Sequence, residues 1–322
     1  MSKLRNQPLV EFDNLTVSYF INKQELRALN RISFHVFKGE IIGIVGESGC
    51  GKTTLGISLL KMLPENSRIL EGTIKVDSVD VPSLKGEYLR KYRWSKVAMI
   101  FQSAMNALDP VKTIQSQMIE TILQHSKASK EEVMNRIVTL LDIVGINPSR
   151  ATSYPHELSG GMKQRVVIAM ALCLQPDLII ADEPTTAVDV VYQASILRTL
   201  KALREKLGLT IILISHDISI MWEMTDRLAV MYAGKLVEIG KTQNIILNPQ
   251  HPYTKALLNA VPVIGQDQKK IVGIPGSPPN LSSPPSGCRF HPRCAYAFEK
   301  CPTSDPPLQE RKEGAVACWL IS

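Results

Sequence analysis

Apolar residues in the first part of the chain recur at short range rather than at helical spacing. Phe12, Leu15 and Val17 lie in a turn-bounded apolar segment, and Ile32, Phe34 and Val36 alternate with polar residues. Residues 9–45 therefore predict strands. The last is the run Glu40-Ile-Ile-Gly-Ile-Val45, whose shortness and continuous hydrophobicity suit a buried strand. Glycines follow at once, and a helix is predicted from near Lys52. Residues 69–101 predict further short strands ending in Val97-Ala-Met-Ile-Phe101. The period then changes. Ile114, Met118 and Ile122, then Val133, Ile137, Leu140, Leu141 and Val144, recur at helical spacing over residues 112–145, as a stripe packed into a core does. Leu178-Ile-Ile-Ala181 and Thr210-Ile-Ile-Leu-Ile214 predict two more buried strands, with a helix over 189–207 between them. This strand–helix–strand alternation is of the α/β kind.

The pattern breaks after about residue 240. Residues 262–292 hold seven prolines, which makes long regular elements improbable there, and four of the six cysteines lie beyond residue 287. A boundary near 240 separates residues 1–240 from an appendage, 241–322, and no internal repeat is visible. The 322 residues are 44% hydrophobic and 21% charged, which excludes a wholly disordered, collagen-like or disulfide-scaffold chain. The N-terminus has no signal-peptide segment, and no apolar run approaches the ~18 residues of a membrane span. The chain reads as cytosolic, with membrane association only through a partner or the surface. Its 37 Lys+Arg against 30 Asp+Glu give a mild excess of +7, densest over Lys85–Lys96 and without an arginine-rich tail. That balance does not point to nucleic acid. In such a compartment six cysteines suggest core thiols, metal or chemistry before disulfides.

Gly46-Glu-Ser-Gly-Cys-Gly51-Lys52-Thr53 matches G-x-x-x-x-G-K-[ST] between a predicted strand and a predicted helix. Glycines let backbone N–H groups turn inward around an anion, and the helix N-terminus adds donors and a favourable dipole. Lys52 supplies a point charge to the β- and γ-phosphates, and Thr53 a hydroxyl to Mg²⁺. Cys50 is read as a small loop side chain and Cys173 as a buried apolar one. The apolar run ending in Ala181-Asp182-Glu183-Pro184 offers two carboxylates at a strand end. Asp182 can reach Mg²⁺, and Glu183 can polarise an attacking water.

Leu158-Ser159-Gly160-Gly161-Met-Lys-Gln164-Arg165 is a second glycine-rich helix start, redundant if one chain alone holds one nucleotide. With the preceding motifs it resembles the signature of ATP-binding-cassette ATPases, over nearly the whole chain. The resemblance implies a phosphate-loop NTPase cassette with a RecA-like core, an antiparallel β subdomain and a helical signature subdomain at about 103–170. It implies cassettes dimerised head to tail, each ATP held between one subunit's phosphate loop and the other's signature. Gly46, Ser48, Gly49, Gly51, Lys52, Thr53 and Thr54 would bind the nucleotide, and Ser159, Gly160 and Gly161 the partner's γ-phosphate. Gln102 would sense Mg²⁺, Asp189 would lie in the loop crossing the dimer interface, and His216 would contact the γ-phosphate and hold Glu183 and the water. Tyr19 corresponds to the aromatic residue that stacks on adenine, with Phe20 as its competitor. Ser103 and Ala104 replace the acidic residue and proline usual after the glutamine, and Val188 replaces a usual leucine. The stretch from Gly51 to Ser159 holds no long coiled coil, unlike chromosome-organising and repair relatives, so a separate transporter ATPase beneath permease subunits is favoured over a soluble cassette acting on nucleic acid.

The tail narrows the resemblance. Asn248-Pro-Gln-His-Pro-Tyr, Ile274-Pro-Gly-Ser-Pro-Pro279 and Gly287-Cys-Arg-Phe-His-Pro-Arg-Cys294 resemble the oligopeptide/dipeptide uptake branch, which has nickel and oligosaccharide relatives. That branch implies two permeases, a paralogous or identical second ATPase, an external solute-binding protein and a peripheral position on the cytoplasmic face of the membrane. Cys288, Cys294, Cys301 and Cys318, with five, six and sixteen residues between them, suggest a shared metal. Zinc, iron–sulfur and unligated thiols or disulfides are all open from the spacing, and the resemblance implies a structural [4Fe–4S] cluster. His291 is a spare ligand candidate.

Overall fold

The structure, a computed structural model, describes residues 7–102, 107–185, 190–260 and 273–321. Strands β1 (Pro8–Ile21), β2 (Gln24–Phe37) and β3 (Ile41–Val45) precede helix α1 (Lys52–Leu59). Strands β4 (Ser67–Val76) and β5 (Val79–Asp80), helix α2 (Gly86–Ser95) and strand β6 (Val97–Ile100) follow. Helices α3 (Ile114–Leu123), α4 (Lys130–Ile143) and α5 (Gly160–Ala171) lead to strand β7 (Leu178–Asp182), helix α6 (Val190–Leu207) and strand β8 (Thr210–Ser215). Helix α7 (Ile218–Met224), strands β9 (Arg227–Tyr232) and β10 (Lys235–Lys241), helices α8 (Thr242–Leu247) and α9 (Pro252–Asn259), and strands β11 (Gln309–Arg311) and β12 (Gly314–Val316) complete the order. Two compact units result, Met1–Pro82 with Leu213–Ser322, and Ser83–Ile212.

In the first unit, β1 and β2 form an antiparallel hairpin turned at Asn22 and Lys23, φ 49° and 67°. That is the mirror-image turn whose twist matches paired strands. β4 pairs antiparallel on the other side of β1. The alternation read from the sequence buries Phe12, Leu15, Val17, Ile32, Phe34 and Val36. Phe12 faces Phe34 across the hairpin with ring centroids 4.8 Å apart. β3 is buried at all five positions, as a parallel strand covered on both faces requires, and pairs in parallel with β9.

β9 turns back antiparallel into β10, and β10 accepts β12, with Glu238 opposite Val316 and Gly240 opposite Gly314. The tail therefore extends the sheet that carries β3, in the order β11-β12-β10-β9-β3. Its strands are three residues long, too short to display an alternation, and they lie beyond the proline-rich stretch from which an irregular tail is expected.

In the second unit, β6 and β7 pair in parallel, Val97 beside Leu178 and Ile100 beside Ala181. The predicted helical stripe is buried at Ile114, Met118, Ile122, Val133, Ile137, Leu140, Leu141 and Val144. It belongs to two helices rather than one. Ser129 starts the second with a capping box, its hydroxyl accepting from Glu132 N at 3.2 Å and the Glu132 carboxylate accepting from Ser129 N at 2.7 Å. Among the described residues no helix is long and apolar enough to cross a membrane.

Candidate nucleotide-binding site

Strand β3 delivers the chain into Gly46–Gly51, and α1 starts at Lys52. Gly51 precedes the helix with φ 104° and offers no side-chain cap. The first N–H groups of α1, at the positive end of the helix, are thus not taken by a capping side chain. A Cβ at Gly51 would lie 2.4 Å from the Ala28 carbonyl oxygen, so both the dihedral and the space demand glycine. Ser48, Gly49 and Thr53 are exposed, while Lys52 is buried. Its Nζ donates to the carbonyls of Gly46 at 2.7 Å and Glu47 at 3.0 Å, which holds the ammonium inside the loop.

Cys50 lies 3.8 Å from that ammonium, and burial pushes its thiol up. It remains the small neutral side chain expected. Thr54 and Tyr19 share a hydroxyl–hydroxyl hydrogen bond of 3.1 Å, which sets the half-buried Tyr19 against the first turn of α1. The neighbouring Phe20 is exposed. His216 is exposed directly after β8, ahead of α7, where Asp217 caps the helix by accepting from Ser219 N at 2.9 Å.

The second unit holds the other group of expected residues. The parallel register of β6 and β7 sets their C-terminal ends side by side. Gln102 Nε2 consequently donates to Glu183 Oε2 at 2.9 Å across 81 residues of sequence. Asp182 is buried at the strand end. Glu183 takes a left-handed φ of 47°, a conformation that costs a residue with a Cβ about 1–2 kcal/mol. Such outliers persist where the surroundings hold them and cluster at functional sites. Here Pro184 is anchored by its carbonyl, which accepts from the buried Gln164 side chain at 2.9 Å. Ser159 caps α5 by accepting from Met162 N at 3.4 Å. Ser159 and Gly160 are exposed and Gly161 is buried. Asp189 lies outside the described residues.

Cys288, Cys294, Cys301 and Cys318 line one small cavity in the tail, together with Phe290 and Trp319. Cys288 N donates to Cys301 O at 2.8 Å, and the Cys288 carbonyl meets His291 Nδ1 at 2.9 Å. Burial, then the neighbouring cysteines, push the Cys288 thiol up to about 11, and burial also raises Cys294 and Cys318. Among the described residues no three His, Cys, Asp or Glu side chains are placed to hold one metal ion. That gives no support to the zinc alternative. It gives no direct support to the expected iron–sulfur motif either.

Two residues absent from the expected set touch the phosphate loop, and a third supports one of them. Arg293 makes a two-pronged ion pair with Glu47, 2.7 and 3.0 Å, and the Tyr253 hydroxyl accepts from Glu47 N at 2.9 Å. His251, which burial pulls down to about 3, is a neutral ring that accepts from Tyr253 N at 3.0 Å and starts α9. The local signal for them was only that they fall in the tail motifs.

The chain matches the family model for the ABC transporter over residues 29–186, and that for the oligopeptide/dipeptide transporter C-terminal region over 237–301. It is 42% identical to the dipeptide transport ATP-binding protein DppD of Bacillus subtilis, over 98% of this chain and 95% of that one. Identity to DppD of Escherichia coli is 40%, over 95% and 94%. Among solved structures, the ATP-binding cassette MJ0796, a dimer in a post-hydrolysis state bound to ADP and Pi, superposes with a TM-score of 0.64 at 29% identity, covering 72% of this chain and 98% of that one. For cbiO1 of Clostridium perfringens, part of the ABC transporter complex cbiONQ, the TM-score is 0.67 at 26% identity, covering 76% and 92%. A phosphate loop on this fold and near-full-length identity that includes the tail place the chain in the ABC transporter family, among the ATPases of its oligopeptide/dipeptide branch.

Proposed function

We propose that this chain binds and hydrolyses Mg-ATP to drive import of dipeptides or oligopeptides through separate permease subunits. The observation that carries the reading is the tail, which matches the oligopeptide/dipeptide C-terminal region in a chain whose curated relatives are peptide-transport ATP-binding proteins. The chain works as a peripheral subunit on the cytoplasmic face of the membrane, with two permeases, a second cassette and an external solute-binding protein. It divides into a nucleotide-binding domain, 1–240, with its helical subdomain at about 103–170, and a tail, 241–322.

Roles follow from the chemistry of each residue. In the phosphate loop, backbone donors and Lys52 cradle the β- and γ-phosphates, and the exposed Thr53 hydroxyl is a suitable Mg²⁺ ligand. Tyr19 contributes the adenine platform. In the second unit, the buried Asp182 is a hard oxygen ligand for Mg²⁺, which when bound supplies charge to the phosphates. Glu183 accepts a proton from, and orients, the attacking water, and Gln102 fixes the carboxylate through the 2.9 Å hydrogen bond. His216 contacts the γ-phosphate. Ser159, Gly160 and Gly161 meet the nucleotide of a partner cassette, a role their exposed helix start favours, and Asp189 lies at that interface.

The four tail cysteines hold a structural [4Fe–4S] cluster. The four cysteines line one cavity, and four thiolates match the four iron corners of such a cluster. The deciding experiment for transport is uptake by proteoliposomes carrying the assembled complex, with labelled dipeptides, oligopeptides, nickel and oligosaccharides offered in turn. Peptide uptake that requires ATP on the side of this subunit is expected. Uptake of nickel or sugar alone would overturn the substrate assignment.

A further inference from the structure

Glu47, the second residue of the phosphate loop, is held from two directions by the tail. Its carboxylate receives both prongs of the Arg293 guanidinium at 2.7 and 3.0 Å, and its N–H is accepted by the Tyr253 hydroxyl at 2.9 Å. The pair is not an ordinary surface contact. The Arg293 side chain is 7% exposed and that of Glu47 22%. A bidentate, largely desolvated pair of this kind fixes orientation as well as distance.

Arg293 is itself fixed. Its Nε donates to Pro275 O at 2.7 Å, and one prong also reaches the Tyr232 hydroxyl at 3.2 Å. Tyr232, Tyr253 and Phe290 pack with ring centroids 4.6 to 5.4 Å apart, which joins β9 to α9 and the Phe290 segment of the tail. Pro278, Pro279 and Leu281 lie with Tyr232 along Glu47–Cys50. Glu47 in turn places the loop's lysine, because its carbonyl accepts from Lys52 Nζ at 3.0 Å. A continuous path of contacts thus runs from the tail, through Arg293 and Glu47, to the ammonium that meets nucleotide phosphate.

We propose that Arg293 is a positioning residue of the phosphate loop: from its place beside Cys294 it fixes Glu47 and thereby Lys52, so that the cysteine-bearing tail sets the affinity of the loop for nucleotide phosphate. This rests on the loop being the ATP site. An arginine serving only to staple the tail would matter for stability alone. One that positions the loop matters for ATP affinity in protein that is fully folded.

The test uses the full chain and three variants, Arg293→Lys, Glu47→Gln and their combination. Arg293→Lys keeps the charge but loses the fork. Glu47→Gln leaves the carbonyl contacts of Arg293 untouched and keeps the tail folded if the arginine variant does not. Mg-ATP affinity is measured by calorimetry well below each variant's unfolding temperature, and hydrogen exchange is followed separately in peptides from the loop, 46–53, and from the tail. Each single variant is expected to weaken ATP binding about tenfold, with the double variant no worse than the poorer single one, since both break one interaction. Faster exchange is expected in loop peptides. Unchanged ATP affinity with exchange altered only in the tail would overturn the proposal. So would additive losses in the double variant. Lys52→Ala serves as the separate control. If it leaves ATP binding intact, the assignment of the ATP site itself fails. If it abolishes binding while the other variants behave as wild type, only the role of Arg293 fails.

Discussion

Replacing Gly51 or Gly49 by alanine puts the same methyl group into the same loop at two positions with different surroundings. At Gly49, φ is 77° and no atom lies within 4 Å of the added Cβ. The cost is the left-handed backbone, about 1–2 kcal/mol, reduced by about 0.4–1 kcal/mol because alanine restricts the unfolded chain. A net loss near 1 kcal/mol is expected. At Gly51, φ is 104° and the Cβ would sit 2.4 Å from Ala28 O and 2.9 Å from Leu29 Cδ2. Cβ atoms essentially never approach closer than 3.0 Å. The start of α1 or the backbone of β2 must therefore move by at least roughly half an ångström, which at the overpacking cost of a tight interior adds about 1–3 kcal/mol. Gly51→Ala should then lose about 2–4 kcal/mol in total. Urea unfolding of the full chain followed by circular dichroism measures both. A Gly51→Ala variant no less stable than Gly49→Ala would refute the steric reasoning, because Gly51 adds the contact to a dihedral penalty at least as large.

Glu183→Gln should keep Mg-ATP binding and the hydrogen bond from Gln102 while turnover of the assembled transporter falls by about 10²–10⁴, the usual worth of a positioned general base; near-normal ATPase would remove Glu183 from that role. Ser159→Arg should damage hydrolysis but leave ATP binding by the single chain intact, as a residue facing a partner's nucleotide would; equal loss of binding in a verified monomer contradicts the split site. Anaerobically prepared protein should be brown, with about four irons and four sulfides per chain, and Cys294→Ser should lower both. Metal analysis finding one zinc without sulfide, or no metal, would sink the cluster.

Much of the architecture was legible along the chain because its causes are local. A continuous apolar run such as Ile41–Val45 has few options besides a buried strand, and the burial of all five residues follows. The phosphate loop was legible for the same reason. Glycine at fixed offsets, a lysine and a helix start form one connected piece of backbone. The helical stripe over 112–145 gave the buried positions, while the break before Ser129 lies in capping chemistry that periodicity does not register.

Other features arise only when distant segments meet. Gln102 reaches Glu183 because β6 and β7 happen to run parallel with Ile100 beside Ala181. Arg293 finds Glu47 across 246 residues. With 37 basic and 30 acidic residues in the chain, no local pattern singles out that pair. β12 joins β10 through backbone hydrogen bonds that carry almost no side-chain signature over three residues. Sequence alone thus determined the long buried strands, the helical stripe and the anion-binding turn, because steric limits and hydrophobic period act within a few residues; it missed helix α2, which lies inside the stretch 69–101 read as strands, and the three-residue strands of the tail. The tertiary structure decided which charges are paired and desolvated, and that the tail grips the phosphate loop, because those depend on the topology that brings remote residues into one low-dielectric environment.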